Sequence, residues 1–282
     1  MGGGAASESS GIKTIASRRT FLTAGITAAM AASAAACGRG AREELPVDPP
    51  GGRPEQAPSG HGTGRLEFRP APPVRSVGRS GQLTMQGTAS APPAEVYVPR
   101  ELSAGRPARL VLVLHGAGGR PRRAMHWLRP YADPENLLLV APKASQPTWD
   151  AIAGGFGPDV ANIDRLVHQV AGDYPIDSHT VMGFSDGASY ALSLGIANGD
   201  VFDSVVAFSP GFSAAQQRNG RPRFFVSHGL NDPVLPIERT SRQLVPALER
   251  AGYDVTYEEF SGEHEVPASI HESALTWLRS GA

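Results

Sequence analysis

Short, nearly continuous apolar runs separated by stretches of helical periodicity constrain this chain more than any other feature. The runs are Arg109 to Leu114 (RLVLVL), Leu137 to Ala141 (LLLVA), Thr180 to Phe184 (TVMGF), Ser204 to Phe208 (SVVAF), Arg223 to Ser227 (RFFVS) and Val255 to Phe260 (VTYEEF). A strand tolerates apolar residues on both faces only when helices cover both, and parallel strands need crossover connections to return to the same edge. The pattern therefore predicts an α/β domain with a mostly parallel, doubly wound sheet flanked by helices. Gln82 to Met85 and Glu95 to Val98 are weaker leading strands, the second ended by Pro99. Val160, Ile163, Leu166, Val167 and Val170 recur at helical spacing, with Asp159 placed to cap that helix. A last helix after Pro267 sets Ile270, Ala274, Trp277 and Leu278 on one face. These stripes are core. Only residues 209–222 separate SVVAF from RFFVS, too few for a large cap domain.

The α/β pattern starts near residue 82 and runs to residue 282. Ahead of it, Arg18-Arg19 precedes an uncharged stretch from Phe21 to Ala36, followed by Cys37. That stretch is dominated by Ala, Gly and Thr, too short and weakly apolar for a stable membrane span of about 20 residues. Residues 1–37 read as an export signal, its paired arginines resembling a twin-arginine signal. Ala34-Ala35-Ala36-Cys37-Gly38 resembles a bacterial lipobox, although leucine is absent three residues before the cysteine. Lipidation at Cys37 is the expected anchor; cleavage after Ala36 with Cys37 incidental is the alternative, leaving a periplasmic or secreted protein. Residues 38–81, rich in Pro, Gly, Arg and Glu, read as a disordered linker.

A formal net charge of −1 gives no electrostatic footprint for nucleic acid or an anionic membrane surface, so a membrane partner is expected only through the anchor. A single cysteine excludes an intramolecular disulfide and a thiolate metal cluster. Of the 8 histidines no pair has metal-ligand context, and His168, His179, His228 and His271 read as packed or surface residues. No GxGxxG and no GKS or GKT occurs, which argues against a nucleotide cradle. No cofactor or metal is expected.

Gly183-Phe184-Ser185-Asp186-Gly187 matches GxSxG, a string that chance supplies about 0.3 times in a chain this rich in glycine. Its context is more specific, because it follows the strand TVMGF and precedes the plausible helix ASYALSL. Strand, sharp turn, helix is the arrangement that lifts a serine hydroxyl clear of a sheet. A hydroxyl needs a base, and the base needs a group to orient it. Asp232 follows the strand RFFVS and His264 follows VTYEEF, giving the order Ser, Asp, His at the carboxyl ends of three strands. Asp200 and Asp203 precede SVVAF and fall at the opposite edge, and Glu263 and Glu265 read as solvated charges. His115-Gly116-Ala117-Gly118-Gly119 follows RLVLVL, where this chain order places an oxyanion loop. The expected donors are the N–H groups of Ala117, with Gly116 as the alternative, and of Asp186.

HGAGG, TWD (Thr148 to Asp150), GGFGPDV (Gly154 to Val160), GFSDGASYALSLG, FSPGF, SHGLNDPVLP and the region around His264 together resemble bacterial esterases of the phospholipase/carboxylesterase group. That group is related to acyl-protein thioesterases, feruloyl esterases and polyhydroxyalkanoate depolymerases. The resemblance spans about residues 95–280 and implies the α/β-hydrolase fold and the triad Ser185, Asp232, His264. With no room for a cap, the cleft is expected to be open and suited to a small or extended ester, and Trp149, Phe156 and His126, after strand ends or in adjoining loops, are candidates for its lining. The same triad would serve a thioesterase or peptidase, and a surface lipoprotein that only binds a ligand is a further alternative.

Overall fold

Every apolar run of the sequence becomes a strand of one sheet. In the computed structural model, which describes residues 60–281 apart from 75, 76, 89, 90 and 104, these are β1 (Gly81–Met85), β2 (Ala94–Val98), β3 (Ala108–Leu114), β4 (Leu137–Ala141), β5 (Ile176–Phe184), β6 (Ser204–Phe208), β7 (Arg223–Gly229) and β8 (Val255–Phe260). Their spatial order is β1-β2-β4-β3-β5-β6-β7-β8. β1 pairs antiparallel with β2 and β2 antiparallel with β4, while every pairing from β4 to β8 is parallel. The helices are α1 (Pro121–Ala124), α2 (Asp150–Ala153), α3 (Pro158–Asp173), α4 (Asp186–Ala197), α5 (Ser241–Arg250) and α6 (Ala268–Arg279).

Alternation along β3 shows how the strands build two cores. Leu110, Leu112 and Leu114 face one layer, with Ile163 and Leu166 of α3, Leu194 of α4 and Leu248 of α5. Val111 and Val113 face the other, with Met125, Leu128 and, from α6, Ile270 and Leu278. Each such leucine or isoleucine contributes roughly 1.5–3 kcal/mol by leaving water. The sheet register pairs Leu114 with Gly183, Phe184 with Phe208, Phe208 with Ser227, and Gly229 with Phe260. The carboxyl ends of β3, β5, β6, β7 and β8 therefore finish at one edge, and the loops that follow them share it.

Two expectations change. The linker does not run to residue 81: Leu66 and Phe68 are buried in the core at 0% and 5% exposure. Their backbone N–H groups donate to Asn198 Oδ1 (2.8 Å) and Asp164 Oδ1 (2.9 Å), and Arg65 forms an ion pair with Asp200. Two apolar side chains in a Pro- and Gly-rich segment show no periodicity, so their docking could not be read from pattern. Nor does Asp159 cap α3. The N-cap is Gly157, and Asp159 lies inside the first turn, where its carboxylate accepts from the N–H groups of Ser145 (2.7 Å) and Asp150 (2.9 Å). The expected signal, residues 38–59 and Cys37 lie outside the described residues. No described helix is long and apolar enough to cross a membrane.

Candidate active site

Ser185 sits between the last residue of β5 and the first of α4, at φ 58° and ψ −120°, a conformation that L-residues rarely adopt. The flanking glycines make the turn possible by close approach. A Cβ at Gly183 would lie 2.2 Å from the Gly187 carbonyl oxygen, and one at Gly187 would lie 2.3 Å from that of Leu114. The backbone N–H of Ser185 donates to the Phe208 carbonyl at 2.9 Å, which anchors the turn to the end of β6.

The three sequence-predicted residues meet. Ser185 Oγ is 2.9 Å from His264 Nε2, and His264 Nδ1 is 2.7 Å from Asp232 Oδ2. The carboxylate accepts at Oδ2, so Nδ1 carries the proton and Nε2 is free to accept from the hydroxyl. Asp232 is held in turn at Oδ1 by the N–H groups of Val234 (2.9 Å) and Leu235 (2.8 Å). Burial raises the Asp232 pKa, but the hydrogen bonds from His264, Leu235 and Val234 outweigh it and hold the carboxyl below its ordinary value. The loops that carry the two residues are tied together: Leu230 N–H donates to Phe260 O and Asn231 N–H to Gly262 O, both at 2.9 Å.

The loop after β3 lies against this turn, since a Cβ on Gly116 would be 3.4 Å from Ser185 Cβ. Gly118 N–H donates to Pro147 O (2.7 Å) and Gly119 N–H to Gly116 O (2.9 Å). Among the described residues, the N–H groups of Ala117, Gly116 and Asp186 have no acceptor in the chain. Asp186 opens α4, where the first turn of any helix leaves its N–H groups unpaired. Its side chain accepts from Thr148 Oγ1 at 2.5 Å.

Behind the loop is a buried polar frame that spacing alone did not reveal. Ala144 N–H donates to His115 Nε2 (3.1 Å), which leaves Nδ1 to donate to the Gly116 carbonyl (2.8 Å). Burial pushes the His115 pKa down, against the pull of that backbone bond, and favours this neutral form. Trp149 Nε1 donates to the His115 carbonyl at 2.8 Å, and its ring stacks on Tyr190 with centroids 5.1 Å apart. Tyr190 donates to Asp150 Oδ1 (2.7 Å), whose other oxygen accepts from the N–H groups of Gly157 and Asp159.

Trp149 is therefore not a pocket residue: it is wholly buried and braces the loop after β3 from behind. Phe156 is core as well, packed on Tyr190 and against Gly64 of the N-terminal arm. Both lie in the connection between β4 and α3, whose loops can dip inward as readily as outward, so position could not separate the two cases. His126 does line the cleft.

That cleft has a volume of about 650 Å³ and is open to solvent, bounded by the 116–120 loop, Phe184 and His264. One wall is aromatic. The rings of Trp127 and His271 stack at 4.0 Å and 7°, and Phe208 packs edge-on to both. Burial pushes the His271 pKa down to about 4, so it is neutral near pH 7. The sequence pattern marks His271 only as a surface residue; the one signal for its place in the cleft is that its helix directly follows the His264 loop. Away from the cleft, His61, Glu67 and Asp164 each place a ligand atom within 4.8 Å of the others, although His61 and Asp164 already bond each other at 3.1 Å.

No family profile matches the chain. It is 31% identical over 151 residues to a probable feruloyl esterase C of Aspergillus flavus, covering 50% of this chain and 55% of that one. With feruloyl esterase C of Emericella nidulans it shares 28% identity over 184 residues, 61% of this chain and 67% of the relative. The chain thus spans little more than half the length of the first of these relatives. A crystal structure of a thermostable esterase aligns at TM-score 0.60 and 21% identity over 71% of this chain and 62% of its own. With the strand order and the mostly parallel sheet, these likenesses show the α/β-hydrolase fold, and the relatives that the chain is similar to are esterases.

Proposed function

We propose that this protein hydrolyses carboxylic esters through an acyl-enzyme on Ser185, with His264 as general base and acid and Asp232 orienting it. The observation that supports this reading most is the continuous relay from Ser185 Oγ to His264 Nε2 (2.9 Å) and from His264 Nδ1 to Asp232 Oδ2 (2.7 Å). Ser185 Oγ attacks the ester carbonyl as Nε2 takes its proton, and the Asp232 carboxylate stabilises the imidazolium that forms. The oxygen of the tetrahedral intermediate is held by the N–H groups of Ala117, or Gly116, and Asp186, the last aided by the positive end of the α4 dipole. His264 then protonates the departing alcohol. Water repeats the sequence on the acyl-enzyme, His264 acting again as base, and releases the acid with Ser185 restored.

Relatives that are feruloyl esterases and an aromatic cleft wall support an aromatic acyl ester of feruloyl type as the substrate class. The protein works outside the cytoplasm, on the strength of the signal-like residues 1–37, with Cys37 as the lipid-bearing first residue of the mature form. Purified protein assayed on p-nitrophenyl esters, methyl ferulate, thioesters and aminoacyl amides tests the reaction class. Ester turnover that disappears in Ser185→Ala is expected, and exclusive turnover of amides or thioesters refutes the reading. Mass spectrometry of the mature N-terminus tests the anchor.

A further inference from the structure

A second histidine lies on the acid of the relay. His228, in β7 four residues before Asp232, is wholly buried. Its Nε2 is 2.8 Å from the Leu235 carbonyl, which can only accept, so Nε2 carries the proton. Nδ1 then accepts from the Ser241 hydroxyl at 2.7 Å. These two partners fix one neutral tautomer. The same Nε2 is 3.2 Å from Asp232 Oδ2, the oxygen that also accepts from His264.

The consequences are geometric and electrostatic. Asp232 Oδ1 accepts two backbone N–H groups and Oδ2 accepts from His264, while the His228 Nε2–H, directed at Leu235 O, stands 3.2 Å from Oδ2 as a close electrostatic contact and not as a further hydrogen bond. The His228 bond to Leu235 O also ties the far end of the 230–235 loop back to β7, which fixes where Asp232 can point. Bland packing would need neither the close approach to Oδ2 nor the defined tautomer.

We propose that His228 is a positioning residue of the catalytic relay: its Nε2–H, bonded to Leu235 O, fixes the 230–235 loop so that Asp232 points toward His264, and its positive end beside Oδ2 stabilises the carboxylate charge. This rests on the reading of Asp232 as the relay acid. The titratable groups facing His228 are Asp232 and His264 from the two loops and, on β8, its register partner Glu259, itself paired with Arg242 of α5; Ser241 of α5 is its neutral partner. Removing the Nε2–H concentrates negative charge on Oδ2, which favours the imidazolium of His264 and moves the acidic limb of the rate profile upward.

The test uses the full chain with His228→Asn, which keeps an acceptor for Ser241 and lacks a donor at the Nε2 position, beside His228→Gln, which restores one. Rates are counted per active site by fluorophosphonate titration, so that loss of folded protein does not enter. For His228→Asn, kcat on a p-nitrophenyl ester is expected to fall by about 10- to 100-fold, with KM within about twofold and the acidic limb of kcat/KM moved up. His228→Gln is expected to recover most of the rate. In an Asp232→Asn background the His228→Asn change is expected to cost nothing further, since it acts through that carboxylate. Equal rates for the Asn and Gln variants, an unmoved pH limb, or a full additional loss in the Asp232→Asn background overturns the proposal. If Asp232→Asn alone leaves the rate intact, it is the relay reading itself that fails.

Discussion

Replacing Trp149 by Phe separates a residue that braces the proposed oxyanion loop from one that touches substrate. The indole is wholly buried and its Nε1–H is the donor to the His115 carbonyl at 2.8 Å. Phenylalanine retains the stack on Tyr190 but leaves that carbonyl buried without its partner, a cost of about 1–3 kcal/mol. The smaller ring leaves a void near one water in size, roughly 30 Å³, which at ~24 cal/mol/Å³ adds about 0.7 kcal/mol. The sum is about 2–4 kcal/mol, or a Tm lower by roughly 5–12 °C for a domain of this length. The His115 carbonyl immediately precedes the loop that carries Ala117, so loosening it is expected to lower kcat about 10-fold with KM within about twofold. Differential scanning fluorimetry and initial rates on a p-nitrophenyl ester supply both numbers. An unchanged Tm with a several-fold rise in KM would show that the ring meets substrate and would refute the buried role.

Gly187→Ala places a Cβ 2.3 Å from the Leu114 carbonyl oxygen and pushes α4 away from β3; kcat is expected to fall at least 100-fold, and near-wild-type kinetics would contradict the close-approach argument. Phe68→Ala removes a ring buried between the N-terminal arm and the core, at an expected cost of about 3–5 kcal/mol in urea unfolding. A cost below about 1 kcal/mol would mean the arm does not dock in solution. His271 has a folded pKa of about 4 against 6.5 unfolded, so between those values the unfolded chain binds more protons and stability falls as the pH falls. Discounted for partial exposure, the loss is on the order of 1–2 kcal/mol from pH 7 to pH 4.5, and His271→Phe is expected to remove that part of the slope. A slope unchanged in the variant would place the titration elsewhere.

The sheet was legible because β3, β4 and β6 are apolar at nearly every position, a pattern that only strands covered on both faces sustain. That Ser185, Asp232 and His264 come together was legible for a related reason. Each follows a recognisable strand, and parallel pairing brings the strand ends to one edge without further information. What depended on the path of loops was not legible. Trp149 and Phe156 turn inward, while Trp127 and His271, from segments far apart in sequence, stack on each other in one wall of the cleft. The docking of Leu66 and Phe68 was hidden in the same way, because isolated apolar residues among Pro and Gly carry no period. His228 was correctly read as packed, but its contact with Asp232 depends on how the 230–235 loop folds back on β7.

The central claim, that Ser185 is a nucleophile activated by His264, is tested most directly by fluorophosphonate labelling followed by peptide mass spectrometry of wild type, Ser185→Ala and His264→Ala. A single adduct on Ser185 in wild type is expected, with slow labelling in His264→Ala and none at residue 185 in Ser185→Ala. An unlabelled Ser185 in folded protein, or labelling at the same rate without His264, would contradict it.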